Sequence, residues 1–216
     1  MVNVKNINSN SNDFDAIVVG SGISGGWAAK ELCEKGLKVA LIERGKNTIH
    51  GKDYLGEGKA PWDLPYHGKI PEDTLNNEYF IQQQNYALNQ STKHFFVSDK
   101  ENPYKTEKDK PFSWIRGYQL GGRSLLWYRQ SYRWCEMDFE ANKIDGNGVD
   151  WPIRYKDIAP WYDYVETFAG ISGSKEGLPQ LPDGKFLPPM EMNCVELEVK
   201  KNIENKLPGR KMIIGR

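Results

Sequence analysis

Cysteine is scarce in this 216-residue sequence: Cys33, Cys135 and Cys194 stand far apart, are odd in number and show no CxxC spacing. That excludes a disulfide framework and a cysteine-based zinc site, and it fits a reducing compartment. Net charge is missing as well, because 29 Lys and Arg balance 29 Asp and Glu. A neutral chain has no electrostatic footprint for nucleic acid or an anionic membrane. Histidine is limited to His50, His67 and His94. None has neighbours at metal-ligand spacing, so no metal site is expected, and each is read as solvated or locally bonded. The longest apolar runs, such as 16–19 and 39–42, are strand-sized and fall far short of the ~20 residues a membrane helix needs. The opening MVNVKNINSNSNDFD is polar and Asn/Ser-rich, without the apolar core of a secretory signal. Residues 1–13 are therefore expected to be a disordered leader, and the protein cytoplasmic. Aromatics, by contrast, are plentiful, with seven Trp, eleven Tyr and eight Phe. A wholly disordered chain does not carry so many.

The clearest local pattern lies between Asp15 and Glu43. DAIVVG, residues 15–20, is a β-branched apolar run that suits a strand buried on both faces. A glycine turn over 20–26 leads into a helix from Ile23 to Lys35, where Ile23, Trp27, Ala28, Leu32 and Cys33 follow helical spacing and Gly36 is a natural stop. LKVALIE, residues 37–43, reads as a second buried strand. Strand, turn, helix and strand make one βαβ unit. Its turn, GSGISG, gives each glycine a separate task. Gly20 leaves the strand tightly, Gly22 clears room for a pyrophosphate, and Gly25 lets the helix lie close to the sheet. The helix N-terminus, with Ile23 and Ser24 in its first turn, presents free amides to phosphate. Ser21 and Ser24 add hydroxyls. Glu43 stands where an acid accepts hydrogen bonds from a ribose 2′-hydroxyl, which disfavours a 2′-phosphate. The unit is thus expected to bind the ADP half of FAD or NAD.

The rest is less regular. Between Lys46 and Lys110 the only expected helix is 72–89, and such a long loose stretch usually wraps a ligand or partner. Residues 114–134 are dense in aromatics and glycines. Asp150, Trp151 and Pro152 form a corner before an amphipathic helix over 155–168. Residues 172–190 hold four prolines and read as a long loop. A helix is expected over 194–207, and 211–214 is expected to begin a strand.

Three motifs carry a family resemblance. Glu43-Arg44-Gly45 resembles the ERG ending of FAD-binding βαβ units. Arg116 to Trp127, RGYQLGGRSLLW, resembles the LGGSS-type motif of the glucose-methanol-choline (GMC) oxidoreductases. DWPIRYKDIAPWYDYVE, residues 150–166, is similar to a WPI-x-Y segment in the branch with pyranose oxidases and gluconate dehydrogenase flavoproteins. The resemblance spans about residues 14–170. It implies an α/β fold: a Rossmann-like FAD-binding βαβ unit with long irregular segments around the cofactor. It also implies an FAD-binding domain over 14–170 and the start of an incomplete substrate or FAD region over 171–216. Gly20, Ser21, Gly22, Ile23, Ser24, Gly25, Glu43, Arg44, Arg116, Gly121, Gly122, Ser124 and Trp127 are its expected cofactor contacts, with Arg123 a second cation near phosphate or reduced flavin. Pyranose oxidases carry a flavin-linked histidine just before the Trp of the second motif. Here Leu126 stands there, so FAD is expected to be held non-covalently.

GMC members are usually more than twice this length, and their histidine base lies near the C-terminus. The chain is accordingly expected to be an N-terminal fragment with no catalytic residue of its own. In the intact enzyme the resemblance implies removal of an alcohol proton by that base while hydride passes to flavin N5. The substrate would be an alcohol or sugar, with the electron acceptor unspecified. Two alternatives stay open: a different FAD-dependent dehydrogenase, and a non-catalytic remnant that binds a nucleotide or a partner chain.

Overall fold

The β-branched run AIVV extends as β1, Ala16–Val19, and VALI as β2, Val39–Ile42. The two pair in parallel, Ala16 opposite Val39 and Val19 opposite Ile42. Parallel neighbours need a crossover, and here it is α1, Ile23–Glu34. The helix stops at Gly36, whose φ of +85° suits only a residue without a side chain. These elements belong to a computed structural model that describes residues 13–216. The expected disordered leader lies, except for Asp13, outside the described residues.

The expected burial of β1 on both faces is not met. Val18 turns towards α1, while Ile17 and Val19 stay 65% and 81% exposed. A helix covers only one side of a two-stranded ribbon, so the other apolar face stays open.

The chain divides into two compact units, one ending at Trp127 and one running from Tyr128 to Arg216. In the first, β2 leads into an irregular stretch of short 3₁₀ turns and one helix, α2, Glu72–Glu78. The helix expected to reach Asn89 therefore ends eleven residues early. A buried carboxylate is the reason. Asp99 accepts the amides of Ile81 at 2.8 Å and Gln82 at 3.0 Å, drawing away donors that a continuing helix would use. Gln82 is pulled fully inside, where its amide nitrogen reaches Asp99 and the Trp114 carbonyl and its oxygen accepts the Arg116 amide. One glutamine thus joins three segments.

The second unit holds α3, Glu136–Phe139; α4, Ala141–Asp145; α5, Tyr155–Ala169; and α6, Cys194–Lys206. Asp157 caps α5 by accepting the Arg154 amide, and Gly170 closes it in the left-handed region. Asn193 and Glu196 form a reciprocal cap on α6. Beneath α5 lies a buried charge cluster. Arg133 donates to both carboxylate oxygens of Glu166, to Asp163 at 2.5 Å and to the Tyr155 hydroxyl at 3.0 Å. Burial works against its charge, but these acceptors outweigh it and raise the guanidinium pKa further. Residues 211–214, expected to begin a strand, form none. They lead instead to Arg216, whose guanidinium is held by Asp183 and the carbonyls of Ser174 and Pro182.

Candidate functional site

Two glycine turns a hundred residues apart in sequence meet at the end of β1. In the first, Gly20 has φ +93° and donates its amide to Ile42 at 2.7 Å, continuing the ladder into the turn. Gly22 caps α1 without any side-chain hydrogen bond to the helix. The space where its Cβ would stand is open. At Gly25 the opposite holds: a Cβ would overlap the Gly20 carbonyl and come 3.4 Å from Val18 Cγ1. The three glycines thus stand where the sequence pattern puts a tight turn, an open approach and a close helix. Ile23 and Ser24 are exposed in the first turn, where backbone amides have no partner within the helix. A pyrophosphate fits that opening, drawn by free donors and the positive helix end.

The second turn follows Gln119. Gly121 and Gly122 both adopt positive φ, +89° and +56°, and lead into a 3₁₀ turn over Gly122–Leu125. A Cβ on Gly122 would lie 3.0 Å from the Cα of Gly22, so the two turns touch through bare backbone. The Gly121 amide donates to Ser21 Oγ at 2.9 Å, and Ser21 Oγ donates to Glu43 Oε2 at 2.6 Å. Ser21 was expected to face phosphate; its hydroxyl joins the two turns to the acid instead. Ser124 Oγ donates to the Gly121 carbonyl.

Glu43 is held by more than Ser21 Oγ. Its Oε2 also accepts the Ser21 amide at 2.7 Å, and Oε1 accepts the Gly45 amide at 2.7 Å. Burial pushes its pKa up, but the Ser21 hydroxyl and the amides of Ser21, Gly45 and Arg44 outweigh that and hold it below the ordinary value. A carboxylate so fixed stays ionised at neutral pH, with lone pairs left for a ribose hydroxyl. Arg44 stacks its guanidinium 3.6 Å above the Tyr118 ring. Sequence reasoning missed the role of Gly45: a Cβ there would overlap the Gln119 backbone. That contact, with the Leu120 amide donating to the Lys46 carbonyl at 2.9 Å, docks the second motif on the chain leaving β2.

Of the remaining expected contacts, one turns inward. Arg116 is buried at 5% exposure; it donates to the Asn102 carbonyl and Tyr118 hydroxyl, lies 3.6 Å from Asp99 and is packed by Tyr104 and Trp114. It anchors the aromatic tract from inside rather than offering its charge to phosphate. Arg123 is exposed and donates to the Ile115 carbonyl. Trp127 is exposed, and Leu126 closes the 3₁₀ turn. Among the histidines, His50 pairs with Glu57 at 3.0 Å and His67 is exposed in the left-handed region. His94 corrects the expectation of a solvated or locally bonded ring, since both its nitrogens are buried and unpartnered. Among the described residues no group of three or more His, Cys, Asp or Glu is placed to hold a metal ion, and no helix is long and apolar enough to cross a membrane.

Replacing Ser21 by Ala removes the link between the turns but leaves the Ser21 amide on Glu43. Hydrogen bonds to charged groups are worth about 1.5–3 kcal/mol. Ser21→Ala is expected to weaken FAD binding roughly tenfold, which corresponds to ~1.4 kcal/mol. A flavin-fluorescence titration measures this, and an unchanged Kd would show that Ser21 does not organise the site.

Residues 15–51 match the FAD binding domain family. Paromamine 6′-oxidase of Streptomyces fradiae is 26% identical over 76% of this chain and 24% of its own length. 2-Methyl-1,2-propanediol dehydrogenase of Mycolicibacterium austroafricanum is 26% identical over 81% of this chain and 27% of its own. The gluconate 2-dehydrogenase flavoprotein of Pantoea cypripedii is 28% identical over 74% and 26%. The chain spans about a quarter of the length of these relatives. The cofactor of the N-terminal βαβ unit is FAD.

Proposed function

We propose that this GMC-like FAD-binding chain is the cofactor-holding N-terminal part of an oxidoreductase that acts on the CH–OH groups of sugars, polyols or alcohols. The observation that carries the proposal is the backbone contact of Gly122 with Gly22, which places the second motif beside the dinucleotide turn. The similar proteins support the substrate class by name: one oxidises paromamine, one a propanediol and one gluconate. When bound, FAD supplies a two-electron acceptor for the hydride of a carbinol carbon.

The chain's own residues hold and orient. Amides from Gly22 to Gly25 take the pyrophosphate, and Glu43 takes the ribose hydroxyls. Gly121 and Gly122 admit the cofactor to bare backbone, and Ser124 and Trp127 face its flavin end. Leu126 leaves no nucleophile for a flavin link, so the cofactor is held non-covalently.

Purified protein is expected to show flavin absorption in the visible, and acid precipitation is expected to release all of the yellow colour into the supernatant. Colour retained in the pellet would overturn the non-covalent assignment. Binding of NAD without flavin would overturn the proposal itself.

A further inference from the structure

The first unit also contains a cavity of about 290 Å³, and none of the residues expected to contact FAD lines it. Its lining includes Lys46, Lys93 and His94 together with the apolar Leu55, Phe96 and Val97; Glu101 is its one carboxylate. Neither lysine is ion-paired among the described residues. The His94 ring packs against Phe95, with centroids 3.9 Å apart and the planes tilted by 38°. Both of its nitrogens are buried without a partner among the described residues. Burial holds its pKa below the ordinary value, Lys46 adds to this, and Asp53 opposes. The ring is therefore neutral, with one donor and one acceptor unused. An unsatisfied buried polar group is costly, so a partner of the right chemistry relieves that cost on arrival. On the same measure a single water needs only ~10–15 Å³, so the space admits a small molecule.

We propose that the cavity is a binding site for a small phosphomonoester, with Lys46 and Lys93 neutralising the phosphate and His94 donating to it or to a neighbouring hydroxyl. The site shares no lining residue with the pyrophosphate cradle, and the proposal does not depend on which alcohol is oxidised. An anion there also offsets the field of Lys46, so the His94 pKa rises when it binds.

The test is calorimetry on the full FAD-loaded chain with glucose 6-phosphate, inorganic phosphate and glucose as probes. Saturable binding of glucose 6-phosphate is expected, with weaker inorganic phosphate and no glucose. Lys46→Gln, at an exposed position, is expected to weaken binding at least tenfold, and the His94 ring-proton NMR titration moves to higher pH in the complex. His94→Gln is a second probe, and should it fail to fold, Lys46→Gln decides. Equal binding of glucose, an unchanged Kd in Lys46→Gln, or no binding of any probe overturns the proposal. Repeating the titration without FAD separates sources: if added FAD displaces the phosphomonoester, the cavity belongs to the cofactor and the proposal falls. If the chain takes no FAD yet binds the sugar phosphate, the functional reading fails while this one stands.

Discussion

Gly25→Val is expected to yield colourless protein. The substituted Cβ would sit on the Gly20 carbonyl oxygen and 3.0 Å from its carbon, and both are backbone atoms of the turn that holds the pyrophosphate. Neither can move alone, because the Gly20 amide is tied to Ile42 at 2.7 Å and Gly20 already needs φ +93°. The helix must therefore lift from the sheet. Overpacking of this kind costs about 1–3 kcal/mol or more, and it moves the amides away from the phosphates as well. A loss of FAD affinity of at least 100-fold, about 2.7 kcal/mol, is expected by fluorescence titration. Gly22→Ala serves as contrast. Its Cβ meets open space in the chain alone, so the fold should tolerate it and any loss of FAD affinity reports the approach of the ligand. A yellow, wild-type-like Gly25→Val protein would mean that close packing of α1 on β1 is not what shapes the site.

Glu166→Ala is expected to cause the largest loss of stability in the second unit. Arg133 is only 3% exposed at its side chain and Glu166 6%. Glu166 accepts from Arg133 Nε at 2.8 Å and Nη2 at 2.5 Å and also takes the Lys185 amide at 3.3 Å. Gly184 packs so close that a Cβ there would overlap the carboxylate. Removing the acid leaves a buried guanidinium with Asp163 and Tyr155 alone. Breaking one side of a buried pair costs about 3–5 kcal/mol, whereas replacing both partners with apolar groups is often near neutral. Urea denaturation should therefore show Glu166→Ala strongly destabilised, and Arg133→Met combined with Glu166→Leu closer to the parent. A single variant within about 1 kcal/mol of the parent would show that Asp163 suffices; such small changes are typical of exposed sites.

How far the sequence could be read depends on how local each determinant is. The crossover of α1 between β1 and β2, the left-handed stop at Gly36 and the cap of α5 each rest on a few adjacent residues. Steric needs at Gly20, Gly22 and Gly25 are of the same kind, since each concerns backbone within one turn. The length of α2 is different. Residues 79–89 have a helical composition, yet Asp99, some twenty positions later, captures the Ile81 and Gln82 amides and ends the helix at Glu78. Arg116 changed its role for a similar reason. An arginine in a glycine-rich motif invites a phosphate, but Asn102, Asp99 and three aromatic rings enclose it.

The sequence by itself determined the βαβ unit, the three glycines of its turn and the acid at the end of β2, because hard-sphere limits and strand and helix periods act between near neighbours. Only the tertiary structure decided that Ser21 joins Glu43 to Gly121, that Gly122 rests on Gly22, and that His94 lies unpartnered beside Lys46. Those outcomes depend on which distant groups arrive to satisfy a buried donor or acceptor, and no local pattern encodes that partner.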